Sequence, residues 1–339
     1  MATIRDVAET ASVSIQTVSN VLHGKARVRP EVQARVMQAI AQHNYRPSRA
    51  AQNMRSGQAQ ALGFIVSDPN PRGLADPFYG EVLTGLAEVA RDHNYDVLIE
   101  WLPSDTPVRA ADILSPFQTR RIDGAVIFLQ GEQACDAELL GELTAAQALF
   151  VLLECDALGD AGYSVTAANH DGAFAATQHL ISQGHRHIAF LDSVQRWPAV
   201  DKRRRGYEDA MHAVKFDAHI CPISSSDWTR EGGAAAMTAM LADETDRPTA
   251  IVAATDLLAV GAIAAIKSHG LRVPEDIAVT GFDDFDFASF VEPPLTTVRL
   301  PAHDMGRRAA DLLLACLSGR DVTRKQIVLP TELIVRKSA

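Results

Sequence analysis

The sequence holds only four cysteines in 339 residues, Cys135, Cys155, Cys221 and Cys316, and no two stand close enough for a CxxC pair. That spacing excludes a zinc knuckle or a dithiol redox motif and suits a reducing compartment. No run approaches the roughly 18 uninterrupted apolar residues of a membrane span. The opening MATIRDVAET lacks the apolar region of a secretory signal. GxSxG, HExxH and a GxxxxGK loop closed by Ser or Thr are all missing, which removes the commonest hydrolase, zinc-protease and phosphate-loop signatures. His185 and His187 in GHRH lie two apart, a spacing that an exposed strand start explains better than a metal pair. There is no internal repeat and no low-complexity tract. These absences point to a cytoplasmic protein that is not an enzyme and needs no metal or cofactor.

What is present is uneven. Hydrophobic residues make up 47% of the chain, enough to build the cores of two or three domains. Residues 1–60 carry eight Lys and Arg against three Asp and Glu, a net of +5, while the remainder carries 24 against 39, a net of −15. A basic segment on an acidic body suits a polyanionic partner for that segment alone, although an ordinary solvated basic face would give the same count.

The stretch VSIQTVSNVL (13–22) is rich in β-branched residues, yet its periodicity is helical. Strand alternation would place Ile15, Thr17, Ser19 and Val21 on one mixed face. At about 100° per residue, Thr17, Val18, Val21 and Leu22 share a core side, and Ile15, Gln16, Ser19 and Asn20 share the other. Upstream, Thr3 and Asp6 form an approximate capping box before a helix with Ile4, Val7, Ala8 and Ala11 on one side. Ser14 can cap the second helix after a short turn at Ser12-Val13. A third helix opens at Pro30, with Val32, Val36, Met37 and Ile40 as its expected buried stripe. Three short helices with a tight second turn make a helix-turn-helix. Gln16 and Asn20 carry the amides that pair with adenine edges in a major groove, and Ile15 offers an apolar contact for a thymine methyl. A small helical cap without a ligand is the alternative.

YRPSRAAQNMRSG (45–57) follows, too short for a stable isolated helix: a plain linker, or a helix that forms against a partner. Beyond Ala61, short apolar runs alternate with helical stretches. ALGFIV (61–66), YDVLIEW (95–101), DGAVIF (123–128) and ALFVLLE (148–154) are the first four, and HIAFLDS (187–193), TAIVAA (249–254) and DIAVTGF (276–282) continue the series. This predicts an α/β architecture of doubly wound parallel sheets in two lobes, with a ligand between them at the carboxyl ends of strands. The expected division is 1–46 for the helix-turn-helix, 47–60 for a hinge and 61–339 for the two-lobed core.

From Thr3 to about Val335 the chain resembles the lactose-repressor (galactose-repressor) family of bacterial transcription regulators. TIRDVAETASVSIQTVSNVLHG is similar to that family's DNA-binding signature, and YRPSRAAQNMRSG stands in the place of its hinge. QHLISQGHRHIAFL, RRRGYEDAM, TDLLAVGAIAAIKSHGLRVPEDIAVTGFDD and PPLTTVRLP resemble successive blocks of its ligand-binding core. The resemblance implies a homodimer, or a tetramer, on a pseudo-palindromic double-stranded operator, with a small-molecule effector in the interlobe cleft. It implies base contacts by Ile15, Gln16 and Asn20, a phosphate contact by Thr17, and a DNA-contacting hinge with Ser48, Arg49 and an apolar wedge at Met54. In the core it implies that Arg203 meets the effector and that Asp283 does so from the opposite side of the cleft, with Asn169 beside them. A guanidinium's fork of donors and a carboxylate's acceptors together suit adjacent hydroxyls. Phe78, Tyr79 and Trp228 can supply flat surfaces for a ring. A sugar or sugar derivative is the expected effector and a purine or nucleoside the alternative; a sugar-binding transport protein shares the core architecture but would need a signal peptide and would not carry residues 1–60. The chain departs from the family pattern at Ala168, Thr255 and Leu300, where Asp, Asn and Gln are usual, and PRGLAD (71–76) looks inserted. These departures imply a cleft with fewer polar contacts or a different effector.

Overall fold

The computed structural model describes residues 2–23, 28–45, 57–67, 76–102, 107–129, 136–159, 162–193, 197–214, 219–223, 228–243 and 247–339. The chain divides between Ala59 and Gln60 into two compact units.

In the first unit, α1 (Ile4–Thr10), α2 (Ile15–His23) and α3 (Pro30–Gln42) enclose Val7, Ala8, Ala11, Val18, Val36 and Ala39. The capping box at Thr3 and Asp6 is formed in both directions. Ser12 takes a left-handed φ of 50°, which tightens the turn, and the Ser14 hydroxyl accepts the Thr17 N–H at 3.1 Å. Two expectations need correction. Ser19 is buried, because the inward arc of α2 runs from Val18 through Leu22 to Ser19, a small side chain that permits close helix packing. Met37 is 53% exposed, and the stripe of α3 passes instead through Val32, Val36, Ala39 and Ile40.

The second unit has two lobes, each built on a six-stranded sheet. Along the chain come β1 (Ala61–Ser67), α4 (Pro77–Asp92), β2 (Asp96–Leu102), α5 (Ala110–Gln118), β3 (Gly124–Leu129), α6 (Ala137–Ala145), β4 (Phe150–Leu153) and β5 (Tyr163–Ala167). Then follow α7 (Asn169–Ser182), β6 (Ile188–Ser193), α8 (Pro198–Ala213), β7 (His219–Ile223), α9 (Arg230–Leu241), β8 (Ala250–Ala253), α10 (Asp256–Ser268), β9 (Ala278–Asp283), α11 (Phe287–Phe290) and β10 (Thr296–Arg299). The chain ends through α12 (Ala302–Leu317), β11 (Gln326–Leu329) and β12 (Glu332–Ile334). The first sheet runs β2-β1-β3-β4-β5-β11, all parallel. The second runs β7-β6-β8-β9-β10-β12, parallel except where β12 opposes β10.

Central strands β1, β3, β4 and β8 are buried on both faces, as helix-covered parallel strands must be. The connections cross between lobes three times, at Ala168, at Leu300-Pro301 and at Pro330-Thr331. The Thr331 hydroxyl donates to the Ala168 carbonyl at 3.2 Å and ties two of these straps together. Glycines set the tightest helix contacts. A Cβ on Gly85 of α4 would fall 2.0 Å from the His303 carbonyl oxygen, and one on Gly306 of α12 would fall 2.0 Å from that of Val82. Cys155 is buried in a disulfide and Cys316 is a free thiol. That bond departs from the reduced thiols and reducing compartment that the wide spacing in sequence suggests.

Candidate functional site

Arg203 projects from α8 into the second unit with only 1% of its surface exposed, so its charge must be met by the protein. Its Nε donates to Asn169 Oδ1 at 2.8 Å. One terminal nitrogen donates both to the Ala254 carbonyl at 2.7 Å and to Asp283 Oδ1 at 3.3 Å. The guanidinium lies over the Phe282 ring, 3.8 Å from its centroid. Asn169, the first residue of α7, is equally buried and donates its amide to Glu154 Oε2 at 2.8 Å and to the Ala167 carbonyl at 3.2 Å. A continuous polar chain therefore runs from Glu154, at the carboxyl end of β4 in the first lobe, through Asn169 and Arg203 to Asp283 in the second.

Asp283 and Asp284 sit at the carboxyl end of β9 with left-handed φ of 128° and 59°, a strained turn for two non-glycine residues. Asp256, fully buried at the start of α10, braces it: one carboxylate oxygen accepts the Asp284 N–H at 2.8 Å and the other accepts the Thr297 hydroxyl. Only a glycine fits at 281, where a Cβ would lie 2.2 Å from Asp256 Oδ1. Burial pushes the Asp283 carboxyl well above its ordinary value against the opposing pull of Arg203, and the charges of Asp256 and Asp76 push it further. Burial likewise raises Asp256 to about 7. It also raises Glu154 to about 7, only partly offset by Arg203 and Asn169. Among the described residues, the Glu154 Oε1 atom has no hydrogen-bond partner.

Aromatic rings form the apolar wall. Phe78 packs on Phe128 at 5.1 Å, Phe128 meets Trp197 edge-on at 5.4 Å across the lobes, and Trp197 meets Trp228 at 6.2 Å. Adjoining this region, a cavity of about 610 Å³ is lined by Pro77 and Glu81 of α4, Asp283 to Phe287 after β9, and Arg299 to Asp304 at the second crossover.

The expected residues thus separate. Asn169, Arg203 and Asp283 converge, and Phe78 and Trp228 flank them through Phe128 and Trp197. Two expectations fail. Asp283 does not face Arg203 from the opposite lobe: α8 and β9 cover and form the same sheet, the two groups pair directly, and the opposite lobe contributes Glu154 instead. Tyr79 is enclosed by Phe64, Phe78, Trp101 and Phe128 and belongs to the core of the first lobe. Glu154, Asp256, Phe128, Trp197 and Phe282 went unnoticed in the sequence. Glu154 had a signal, a carboxylate ending the apolar run ALFVLLE where a parallel strand delivers its side chain to a cleft. Thr255 caps α10 through Leu258 N–H, and Leu300 is buried at the cavity wall.

On α2, Ile15 is 43% exposed, and the Gln16 amide donates to Asn20 Oδ1 at 3.0 Å. That leaves the Gln16 oxygen and the Asn20 amide as an adjacent acceptor and donor on one face. Ser48, Arg49 and Met54 lie outside the described residues, as do residues 71–75 of PRGLAD.

The family description of bacterial regulatory proteins of the lacI family matches residues 3–48, and that of a periplasmic binding protein-like domain matches residues 177–339. The HTH-type transcriptional repressor CytR of Escherichia coli strain K12 is 31% identical over 342 residues, covering 99% of this chain and 96% of CytR. The chain belongs to the lacI family. The ribose operon repressor of Haemophilus influenzae (strain Rd) is 29% identical over 346 residues, covering 100% of this chain and 98% of its own. The crystal structure of the lac repressor dimer bound to operator and the anti-inducer ONPF matches with a TM-score of 0.86 at 27% identity, over 99% of this chain and 98% of that one. This lacI-family protein is a transcriptional regulator with a helix-turn-helix unit and a two-lobed ligand-binding core. Among the described residues, no helix is long and apolar enough to cross a membrane, and no cluster of three or more His, Cys, Asp or Glu could hold a metal.

Proposed function

We propose that this lacI-family regulator binds its operator as a homodimer and that a hydroxyl-rich small molecule, a sugar or sugar derivative, controls that binding from the interlobe site. The observation that carries the effector reading is the buried chain Glu154–Asn169–Arg203–Asp283, which offers donors and acceptors from both lobes in one place. A ligand there acts by favouring one interlobe arrangement, and it shifts that equilibrium only by its differential affinity for the two states. On the operator, Gln16 and Asn20 read base edges, Ile15 meets a thymine methyl and Thr17 a phosphate, while Ser48, Arg49 and Met54 serve the hinge. The protein works in the cytoplasm by binding rather than by turnover. A purine or nucleoside is the second reading, favoured by the rings of Phe78, Phe128 and Trp197 beside the polar chain.

A thermal-shift screen of sugars, polyols and nucleosides tests the effector reading, since a ligand bound to the native state raises stability by mass action. Arg203→Ala leaves Asn169 and Asp283 short of a partner and should abolish the shift, while operator affinity without effector stays near the parent's. An unchanged titration midpoint in Arg203→Ala removes the residue from the site. On DNA, Gln16→Ala and Asn20→Ala should each relax preference at one position per half-site by about 1–3 kcal/mol. Uniform weakening across all operator sequences would sink the base-reading assignment.

A further inference from the structure

We infer that the effector site selects an unphosphorylated, uncharged ligand and rejects phosphate esters. This rests on the effector reading above and narrows it.

Begin with the cation. A phosphate is gripped by two parallel N–H groups of a guanidinium fork. Arg203 has already committed Nε to Asn169, and one terminal nitrogen to both Ala254 and Asp283. Only the other terminal nitrogen is left, and each fork that includes it has a second prong facing a protein acceptor. One N–H edge suits a hydroxyl or carbonyl oxygen, not a bidentate anion.

Two of the helix termini in this region are closed to anions in the same way, while α7, α8 and α12 open without a side-chain cap. The start of a helix ordinarily attracts phosphate through its free N–H groups and dipole. Here α10 opens with the buried carboxylate of Asp256, and α4 is capped by Asp76, which accepts the Phe78 N–H at 2.9 Å. The chain's own acids occupy the places a phosphate would take.

The remaining groups are carboxyls, which repel a phosphate when ionised and, when protonated, still leave Arg203 no second free prong to hold one. Glu154 and Asp283 flank Arg203, and both Asp256 and Asp76 are near enough to disfavour ionisation of Asp283. The adjoining cavity adds Glu81, Asp284, Asp286 and Asp304 against Arg299 and His303, and Arg299 is itself bonded to Asp284 and Glu332. Meanwhile the buried Glu154 Oε1 has no partner among the described residues. A hydroxyl can donate to it when it is ionised and accept from it when it is protonated; a phosphate oxygen can do only the latter, and beside further carboxylates.

The test uses the full-length protein and matched probes: D-ribose, D-glucose, D-fructose, adenosine and cytidine, each beside its phosphate ester. Thermal shift ranks them and calorimetry gives affinities. A neutral member should bind, and its ester should bind about tenfold or more weakly, the effect of one partly buried like-charge contact. An ester that binds as tightly as its parent overturns the inference, and so does a panel in which no neutral member binds. A neutral probe that binds Arg203→Ala as well as the parent protein would instead overturn the placement of the effector site, so the two failures are distinguishable. A second arm needs no effector. At pH 8, millimolar inorganic phosphate should leave the parent's melting temperature unchanged and should raise modestly that of Glu154→Gln/Asp283→Asn, where the repelling charges are gone and the free terminal nitrogen of Arg203 remains as a single-pronged donor. Stabilisation of the parent, or indifference of the double variant, counts against charge exclusion. If the double variant does not fold, Glu154→Gln alone is read in its place.

Discussion

A carboxyl buried with one oxygen unmatched reports itself through pH. Glu154 titrates at about 7 in the native chain against an ordinary 4.5, because burial disfavours its charge more than Arg203 and Asn169 favour it. The native state therefore binds this proton more tightly than the unfolded state does. Its stabilising contribution is complete below pH 4.5, is lost as pH rises towards 7 and is absent above. Glu154→Gln removes the charge and keeps the shape. The variant should gain on the parent as pH rises across that window, by roughly 3 kcal/mol at about 1.4 kcal/mol per pH unit. Urea midpoints at pH 5 and pH 8 decide it, and an equal offset at both would mean that the carboxyl does not titrate there. Asp256 rises into the same range for the same reason, and its share remains in the variant. These two acids also mark how far the site was legible. Arg203 and Asp283 stand in recognisable blocks, whereas Glu154 and Asp256 matter for what encloses them, and enclosure is a property of the assembled sheets.

At the scale of elements, hydrophobic periodicity carried well where strands are buried on both faces. β1, β3 and β4 read directly as apolar runs. Strands β5, β7, β10, β11 and β12 escape that reading: they span three to five residues, rely on Thr or sit at an edge, and carry no run long enough to stand out. Helix faces were placed to within a fraction of a turn, and that error is what moved Ser19 inwards and Met37 outwards. The glycines were silent in the sequence and decisive in the fold. Because Gly85 and Gly306 let α4 and α12 meet backbone to backbone, Gly85→Ala must push the helices apart. The expected cost is about 1–3 kcal/mol, the range for overpacking a close contact, read as a lower denaturation midpoint. A neutral result would show that α12 can slide.

For the molecule as a whole, the question is what holds one lobe against the other. Besides the three straps, Lys202 of α8 reaches Asp156 beyond β4 at 2.8 Å, and Phe128 meets Trp197. The ion pair is part-exposed, at 30% and 50% of its side chains, so it contributes at most about 1 kcal/mol, and less at high salt. Lys202→Met should shift the lobes modestly towards separation, seen as a longer interlobe distance between spin labels. The exchange Lys202→Asp/Asp156→Lys should restore the parent distance. If the single variant keeps the parent distance in low salt, the aromatic contact and the Glu154–Asn169 hydrogen bond set closure without the ion pair. The straps have a consequence of another kind. Since α12 and β11 complete the first lobe and β12 completes the second, the segment 302–334 serves both halves at once. A premature stop codon near position 300 would strip an edge from each sheet together, so a nonsense allele there yields neither a truncated sensor nor half of one. A late frameshift in this gene is expected to behave as a null, however much of the reading frame precedes it.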